Sequence, residues 1–430
     1  MPNDERPLAS VPVLALLAST FCWAAAALAA TTALGKLVYD LTSRELDLGL
    51  LGLVEFAPAA LLVLVTGSVA DRFDRRRVAS FGIGIEAAAA LGLIAYVASG
   101  PSSVGPIFGI VVVFGTGRAF AAPAARSLPA DIVEPERVPW LIARYSASWQ
   151  LAIIVGPVLG GTLYAVDERY PFVAMFALLV LAAVLVQLVR PEPGVTPVAR
   201  AVATEPVGRE DTPAAPRADL HQALEGLRFI RGHPVLLGAI SLDLFAVLFG
   251  GAVALLPAIA EDRLHVDAVG LGWLRAAGGI GAALVTILLA RRPLRERVGR
   301  TLLAVVAVFG VGTIALGLTR SFVVAFIAMA VLSGADAVSV FIRATLVPLV
   351  TPPDKRGRVL AVENVFIGAS NELGAFESGV AGQVLGPSGA IVLGGVATLA
   401  ISVGWWVIFP ALRDVDRFPE RVADVAAPPP

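Results

Sequence analysis

Twelve mostly apolar stretches follow one another along this chain, and nothing constrains its fold more. A bilayer-crossing helix needs about 20 such residues, because lipid offers the backbone N–H and C=O groups no partner outside the segment. Reading the runs between charged or Gly/Pro-rich breaks places spans one to twelve at 10–37, 47–68, 77–98, 104–128, 139–165, 170–190, 235–259, 268–290, 300–319, 322–349, 358–386 and 388–411. Outer-membrane strands would be segments of about ten residues with alternating polarity. Runs such as Ala174 to Val186 do not alternate. Composition agrees: 57% of the 430 residues are hydrophobic and 16% charged, where a soluble domain carries about 25% charge. Mean hydropathy is +0.81. An ordinary soluble enzyme, a disordered chain and a disulfide-rich secreted domain are excluded, the last because Cys22 is the single cysteine. The fold expected is an all-α integral membrane bundle.

The segment Met1 to Pro7 carries two acids and one arginine, and the apolar run after it is too long for a signal peptide. It reads as the first span. Basic residues in short loops set orientation. With the N-terminus inside, the inner loops hold 13 basic residues, including Arg72, Arg75, Arg76 and Arg77 after span two; the outer loops hold 5. Both termini are therefore expected in the cytoplasm, with the chain in a bacterial inner membrane. A net charge of −1 gives no reason to expect nucleic acid as a partner. Three scattered histidines and one thiol give no metal-ligand spacing and no expected cofactor.

One long connection, Pro191 to His233, splits the spans into six and six. Most of it is rich in Pro, Ala and charge, as in a solvated linker. Its end places Leu220, Leu224, Leu227 and Ile230 at helical spacing beside Arg228 and Arg231, which predicts a short amphipathic helix on the cytoplasmic membrane surface. The expected organisation is a six-helix bundle over 1–190, a linker over 191–233, a second bundle over 234–412 and a cytoplasmic tail over 413–430. The halves share a pattern: Arg126, Val133 and Pro135 at the end of span four recur as Arg343, Val350 and Pro352 at the end of span ten, at a constant offset of 217. Repeated six-helix halves place a substrate site between them and suggest a secondary transporter with alternating access.

Two motifs sharpen this. The loop after span two reads Gly67-Ser-Val-Ala-Asp71-Arg72-Phe-Asp74-Arg75-Arg76-Arg77. A glycine allows close helix approach, an acid at a helix end can pair with an arginine or a helix N-terminus, and arginines bind anionic headgroups. A topogenic anchor explains the arginines but not Gly67 and Asp71 at four-residue spacing. Span five contains Gly156-Pro157-Val-Leu-Gly160-Gly161, where the glycines make a smooth packing face and proline removes a helix hydrogen bond. The first motif resembles the signature loop of the major facilitator superfamily, with Asp74 where a second glycine is usual. The second is similar to the antiporter motif of its exporters, with Ala152 in place of the first glycine. A stretch from Asp336 through Arg343, Asn371 and Glu372 to Glu377 resembles the bacterial exporters that include the enterobactin exporter. The resemblance implies two pseudo-symmetric six-helix bundles. It also implies Asp71 as part of a cytoplasmic latch, a span-five motif marking proton-coupled efflux, and spans one, four, seven and ten around the cavity.

Ionisable residues inside apolar spans are costly and read as functional by default. Here they are Glu55, Glu86, Arg118, Arg144, Asp243, Arg275, Asp336, Arg343, Glu363, Glu372 and Glu377. Arg144, Arg275 and Glu363 lie near span ends, where anchoring or snorkelling suffices. Glu86, on an outer helix by the resemblance, is expected to be structural and paired with a neighbouring helix. Arg118 resembles the superfamily's span-four arginine linked to proton coupling. The candidates for proton coupling or the cavity are Asp336, Glu372, Arg118, Arg343, Glu55 and Asp243, with Phe341, Phe366 and Phe376 as apolar walls. A buried ion-pair network with no role in transport fits these charges equally well. The function expected is export of an amphipathic organic molecule, drug-like or siderophore, in exchange for protons, by a monomer whose energy source is the proton gradient. Uptake symport or lipid flipping on the same fold are the alternatives; a membrane enzyme or sensor is remote.

Overall fold

The computed structural model describes residues 10–191 and 220–419 of the chain, and all regular structure among them is helical. Ten helices are long and apolar enough to cross a membrane. They begin with Val11–Thr42, whose alanines from Ala24 to Ala30 are largely buried, and end with Arg356–Ile408. That last helix is two spans. Its backbone leaves helical geometry at Gly386 (φ 72°, ψ 160°), and Pro387 follows as a first-turn residue. Span two is Glu45–Arg72, with Glu45 and Asp47 favourably placed against the positive helix N-terminus. Each expected span overlaps helix.

Span seven departs from the expectation of one continuous segment. Its helix, Pro234–Phe249, ends at Gly250 and is followed by a 3₁₀ turn over Ala252–Leu255 and a π-helical turn over Ile259–Arg263. The break follows from packing: a Cβ at Gly374 would lie 2.7 Å from the Val247 oxygen and 2.9 Å from that of Leu248. Gly250 and Gly251 let the chain turn where a neighbouring backbone is pressed against it.

The chain forms two compact units, one from Met1–Thr42 with Val54–Thr212 and one from Ser43–Leu53 with Pro213–Pro430. In the first, span one packs on spans five and six, and span three on spans four and six. Spans three and four cross backbone to backbone: a Cβ on Gly82 would meet the Gly117 oxygen at 2.6 Å and the Ala121 nitrogen at 2.7 Å. Ser19 ties span one to span six through the Ala182 oxygen at 2.9 Å. In the second unit, span eight packs on span ten and span nine on ten. Ser402 of span twelve bonds the Leu303 oxygen of span nine at 2.8 Å.

The amphipathic helix exists, as Leu220–Gly232, but it does not simply lie on a surface. Ile230 is buried in the apolar core of the second unit, and Leu227 packs on that core. A Cβ on Gly226 would lie 2.8 Å from the Arg358 oxygen, and Glu225 pairs with Arg358 at 2.7 Å. Lys355 sits 4.9 Å from the Phe229 ring centre. The helix docks against the start of span eleven and leaves Leu224 exposed. The linker expected over 191–233 otherwise lies outside the described residues from 192 to 219.

Candidate functional site

A charge removed from water needs a counter-charge, and in each unit an arginine is held by an acid of a neighbouring helix. In the second unit Arg343 of span ten pairs with Asp243 of span seven at 2.6 Å, with side chains 5% and 8% exposed. Asp336 lies seven residues before Arg343 on the same face of span ten, about 10 Å away along the axis. The bonded partner is Asp243, because span seven brings its carboxylate to the guanidinium directly. The Arg343 charge also acts on Asp336 and on Glu363 of span eleven. The guanidinium is bonded to Asp243 and its field reaches two further carboxylates. A cavity of about 20 Å³ adjoins Asp243 and Asp336, which line its polar side with Ser339; Val247, Val306 and Phe309 line its apolar side. That volume holds about one water. Ser339 accepts a long hydrogen bond of 3.4 Å from Arg343 Nε.

Glu363 is the member that sequence depth misplaced. It is 7% exposed and belongs to the cluster, not to a span-end anchor. Only the fold brings it within the field of Arg343; no local signal marks it. Arg144 does behave as an anchor, with its guanidinium carbon 3.9 Å from the Trp140 ring centre on an exposed stretch. Glu372 of span eleven faces span two: a Cβ on Gly52 would lie 2.9 Å from its Oε2. Phe341 and Phe366 pack against the apolar core of the second unit, so part of each ring is spent on core packing.

In the first unit Arg118 of span four pairs with Glu55 of span two at 2.8 Å. This pair is less enclosed, with side chains 36% and 20% exposed. Glu86 of span three is fully buried, and both its oxygens accept the Trp23 indole N–H at 3.0 Å. The expected neighbouring-helix partner is thus an indole on span one.

The loop motif also resolves. Asp74 is the N-cap of span three: its Oδ1 accepts from the Arg76 backbone N–H at 2.9 Å, and its carboxylate pairs with the Arg76 guanidinium at 2.7 Å. That guanidinium holds the Asp74 carboxyl below the usual carboxylate range. A cap needs negative φ here (−58°), so the absent second glycine is not missed. Arg75 reaches Asp131, just after span four, at 2.7 Å. Arg72 is exposed and Gly67 has open space around it. The side chain of Asp71 lies outside the described residues. In span five Gly156 and Gly160 face span one. A Cβ at Gly156 would lie 2.8 Å from Leu28 Cβ and 3.0 Å from the Ala25 oxygen, and Gly160 abuts Ala29. Pro157 and Gly161 are buried, as is Ala152, which joins Ala24 and Ala25 in one small apolar cluster.

Residues 13–370 match the family model of the Major Facilitator Superfamily. The chain belongs to this superfamily. Its members are transporters and not enzymes, and the chain is accordingly a multi-pass membrane transporter of small molecules. It is 26% identical over 393 residues to the multidrug efflux pump Tap of Mycobacterium tuberculosis and of Mycobacterium bovis, covering 86% of both sequences. Solved superfamily folds superpose along nearly the whole chain. A peptide transporter gives a TM-score of 0.70 at 13% identity, covering 94% of this chain and 95% of that one. A bacterial homologue of the human lysosomal transporter Spinster gives 0.65 at 17%, covering 95% and 97%. A D-xylose–proton symporter gives 0.65 at 15%, covering 93% and 97%. At these identities the structures establish the fold. No group of three or more His, Cys, Asp or Glu suited to a metal ion occurs among the described residues.

Proposed function

We propose that this chain is a secondary active exporter of an amphipathic organic small molecule, drug-like or siderophore, working by alternating access in exchange for protons. One observation carries the proton: Asp336 lines a water-sized cavity together with Asp243, which is already bonded to Arg343, and Glu363 lies in the field of the same guanidinium within an apolar unit. Excess carboxylates in such a place call for a mobile positive counter-charge, and a proton is the one that fits. Export is supported by the named activity of the Tap relatives and by the close packing of Gly156 and Gly160 in the span-five motif. In this reading Asp336, lining the cavity, takes the proton from outside. Its neutralisation leaves Arg343 wholly to Asp243, and substrate departure favours that exchange. Glu372, Arg118 and Glu55 act elsewhere in the cycle, and Asp71 with Arg72, Arg75 and Arg76 forms the cytoplasmic latch. The protein functions as a monomer in a bacterial inner membrane with both termini in the cytoplasm.

Asp336→Asn fixes the neutral form at nearly constant size. Reconstituted in proteoliposomes, it is expected to fold and to lose both proton movement on substrate addition and flux driven by an imposed pH gradient. Gradient-driven flux at the wild-type level would make Asp336 structural. Substrates for the assay come from a susceptibility and efflux panel in an exporter-deficient host, with and without a protonophore.

A further inference from the structure

The first unit holds a titratable group that the proposed exchange leaves unused. Glu86 is fully buried in span three. The crossing of spans three and four at Gly82 and Gly117 places it: Gly117 lacks a side chain where the Glu86 Cγ sits, which a Cβ would approach to 2.9 Å. Arg118 is the next residue along span four. Its guanidinium, however, is bonded to Glu55. The hydrogen-bond donor at Glu86 is the neutral Trp23 indole, one N–H shared by two oxygens at 3.0 Å each.

A buried carboxylate is normally stabilised by a cation or by several donors. One shared indole N–H falls short of that. The charges acting on Glu86 are those of Arg118 from span four and Glu55 from span two. Span six, which also packs on span three, presents no charged side chain between Pro171 and Leu188. Cys22, beside Trp23 on span one, is buried and is the remaining titratable neighbour in sequence. Two carboxylates thus compete for one guanidinium, and the site balances only with one proton added. Glu55 has the arginine, so the proton falls to Glu86.

We propose that Glu86 is a second proton-binding site, separate from the cluster around Arg343, with Trp23 as its built-in reporter. The proton adds reversibly to a carboxylate oxygen and needs no co-reactant. The Arg118–Glu55 pair is part exposed, which leaves the guanidinium room to move. Transfer of Arg118 from Glu55 to Glu86 would expel the proton from Glu86 and leave Glu55 to bind one. Trp23 lies 6.0 Å from Trp149 of span five, so a change at Glu86 reaches the helix that carries Gly156. Only this link to transport rests on the exporter reading; the site itself does not.

The test uses the full-length protein in nanodiscs without substrate or gradient. Trp140, Trp149, Trp273, Trp405 and Trp406 are replaced by Phe, leaving Trp23 as the sole tryptophan, excited selectively at the red edge of its absorption. Glu86→Gln keeps a carbonyl oxygen for the indole and removes the titration. The expected result is one pH-dependent transition in Trp23 emission that Glu86→Gln abolishes and Cys22→Ala leaves in place. Infrared difference spectra of the protein with all its tryptophans should show a protonated carboxyl stretch that Glu86→Gln removes, so the test survives if the Phe replacements fail to fold. Emission flat with pH, together with an unchanged carboxyl band in Glu86→Gln, overturns the proposal. Loss of these signals with normal proton-coupled export refutes the Glu86 site alone. Their presence in a protein that exports nothing refutes the exporter reading alone.

Discussion

Replacing Gly156 probes the span-one–span-five contact with a magnitude the structure supplies. A methyl at this position would lie 2.8 Å from Leu28 Cβ, where carbon atoms rest about 3.5–4.0 Å apart. Gly156→Ala therefore asks the helices to part by roughly 0.7 Å, and overpacking of this kind costs about 1–3 kcal/mol. Against that, alanine regains about 1 kcal/mol of helix propensity. The net is about 0–2 kcal/mol, so the variant should insert normally and lose only part of its flux. Gly156→Leu adds three more carbons against the Ala25 backbone and the Leu28 Cβ, which no rotamer change can move aside. Overpacking then wins, and a bias of about 2–3 kcal/mol between conformations shifts their ratio by roughly 30–150-fold. The assay is substrate efflux in cells and coupled flux in proteoliposomes, normalised to membrane-inserted protein. Gly156→Leu should abolish coupled flux without loss of insertion. Leu28→Gly should restore part of what Gly156→Ala loses, because it removes the Cβ that the new methyl meets. Wild-type coupled flux in Gly156→Leu would refute the argument and remove the main structural support for an antiporter.

A reporter fused after Pro430 or inserted near Pro197 should behave as cytoplasmic in a compartment-sensitive assay; a periplasmic signal from either would overturn the orientation. The docked helix Leu220–Gly232 should tolerate Glu225→Ala, since that half-exposed pair contributes only about 0–1 kcal/mol, but not Gly226→Leu, whose first carbon already meets the Arg358 oxygen; equal melting temperatures for the two variants would refute this. His233, at the start of span seven, has a buried Nδ1 with no hydrogen-bond partner, and burial pushes its imidazole below the ordinary value. The unfolded chain then binds the proton first, so stability is full above about pH 6.5 and falls as pH drops through the folded value. His233→Phe should flatten that loss in thermal melts between about pH 5 and 8, and an unchanged acid limb would exclude His233 as its cause.

The spans were legible because each is a long apolar run whose ends are marked by charge or by Gly/Pro. The amphipathic helix was legible from the spacing of Leu224, Leu227 and Ile230, but its docking was not: Gly226 gives no hydropathy signal, and its role depends on the Arg358 backbone. The break in span seven was hidden for the same reason, since Gly250 and Gly251 sit inside an uninterrupted apolar run. Among the site residues, Arg343, Arg118, Asp243 and Glu55 all stood out as costly charges, but which acid holds which arginine did not. Asp336 shares a helix face with Arg343, but pairing is decided by which helix lies alongside. Glu363 and Trp23 enter their clusters only through tertiary contact, and no spacing along the chain encodes that.

The turn at Gly386 bears on how this protein can be handled. Spans eleven and twelve meet there with no loop between them: one residue with φ 72° and ψ 160° reverses the chain, and Pro387 opens the next helix. That region of backbone space is essentially closed to residues with a Cβ. An epitope, cysteine label or protease site placed at this corner has no slack to occupy. Each residue that joins the helix adds about 1.5 Å and rotates the rest of span twelve by about 100°, which would present the wrong face of that helix to span nine. Insertional mapping should therefore leave this corner untouched, and a failed tag here would report on chain geometry rather than on which side of the membrane the turn faces.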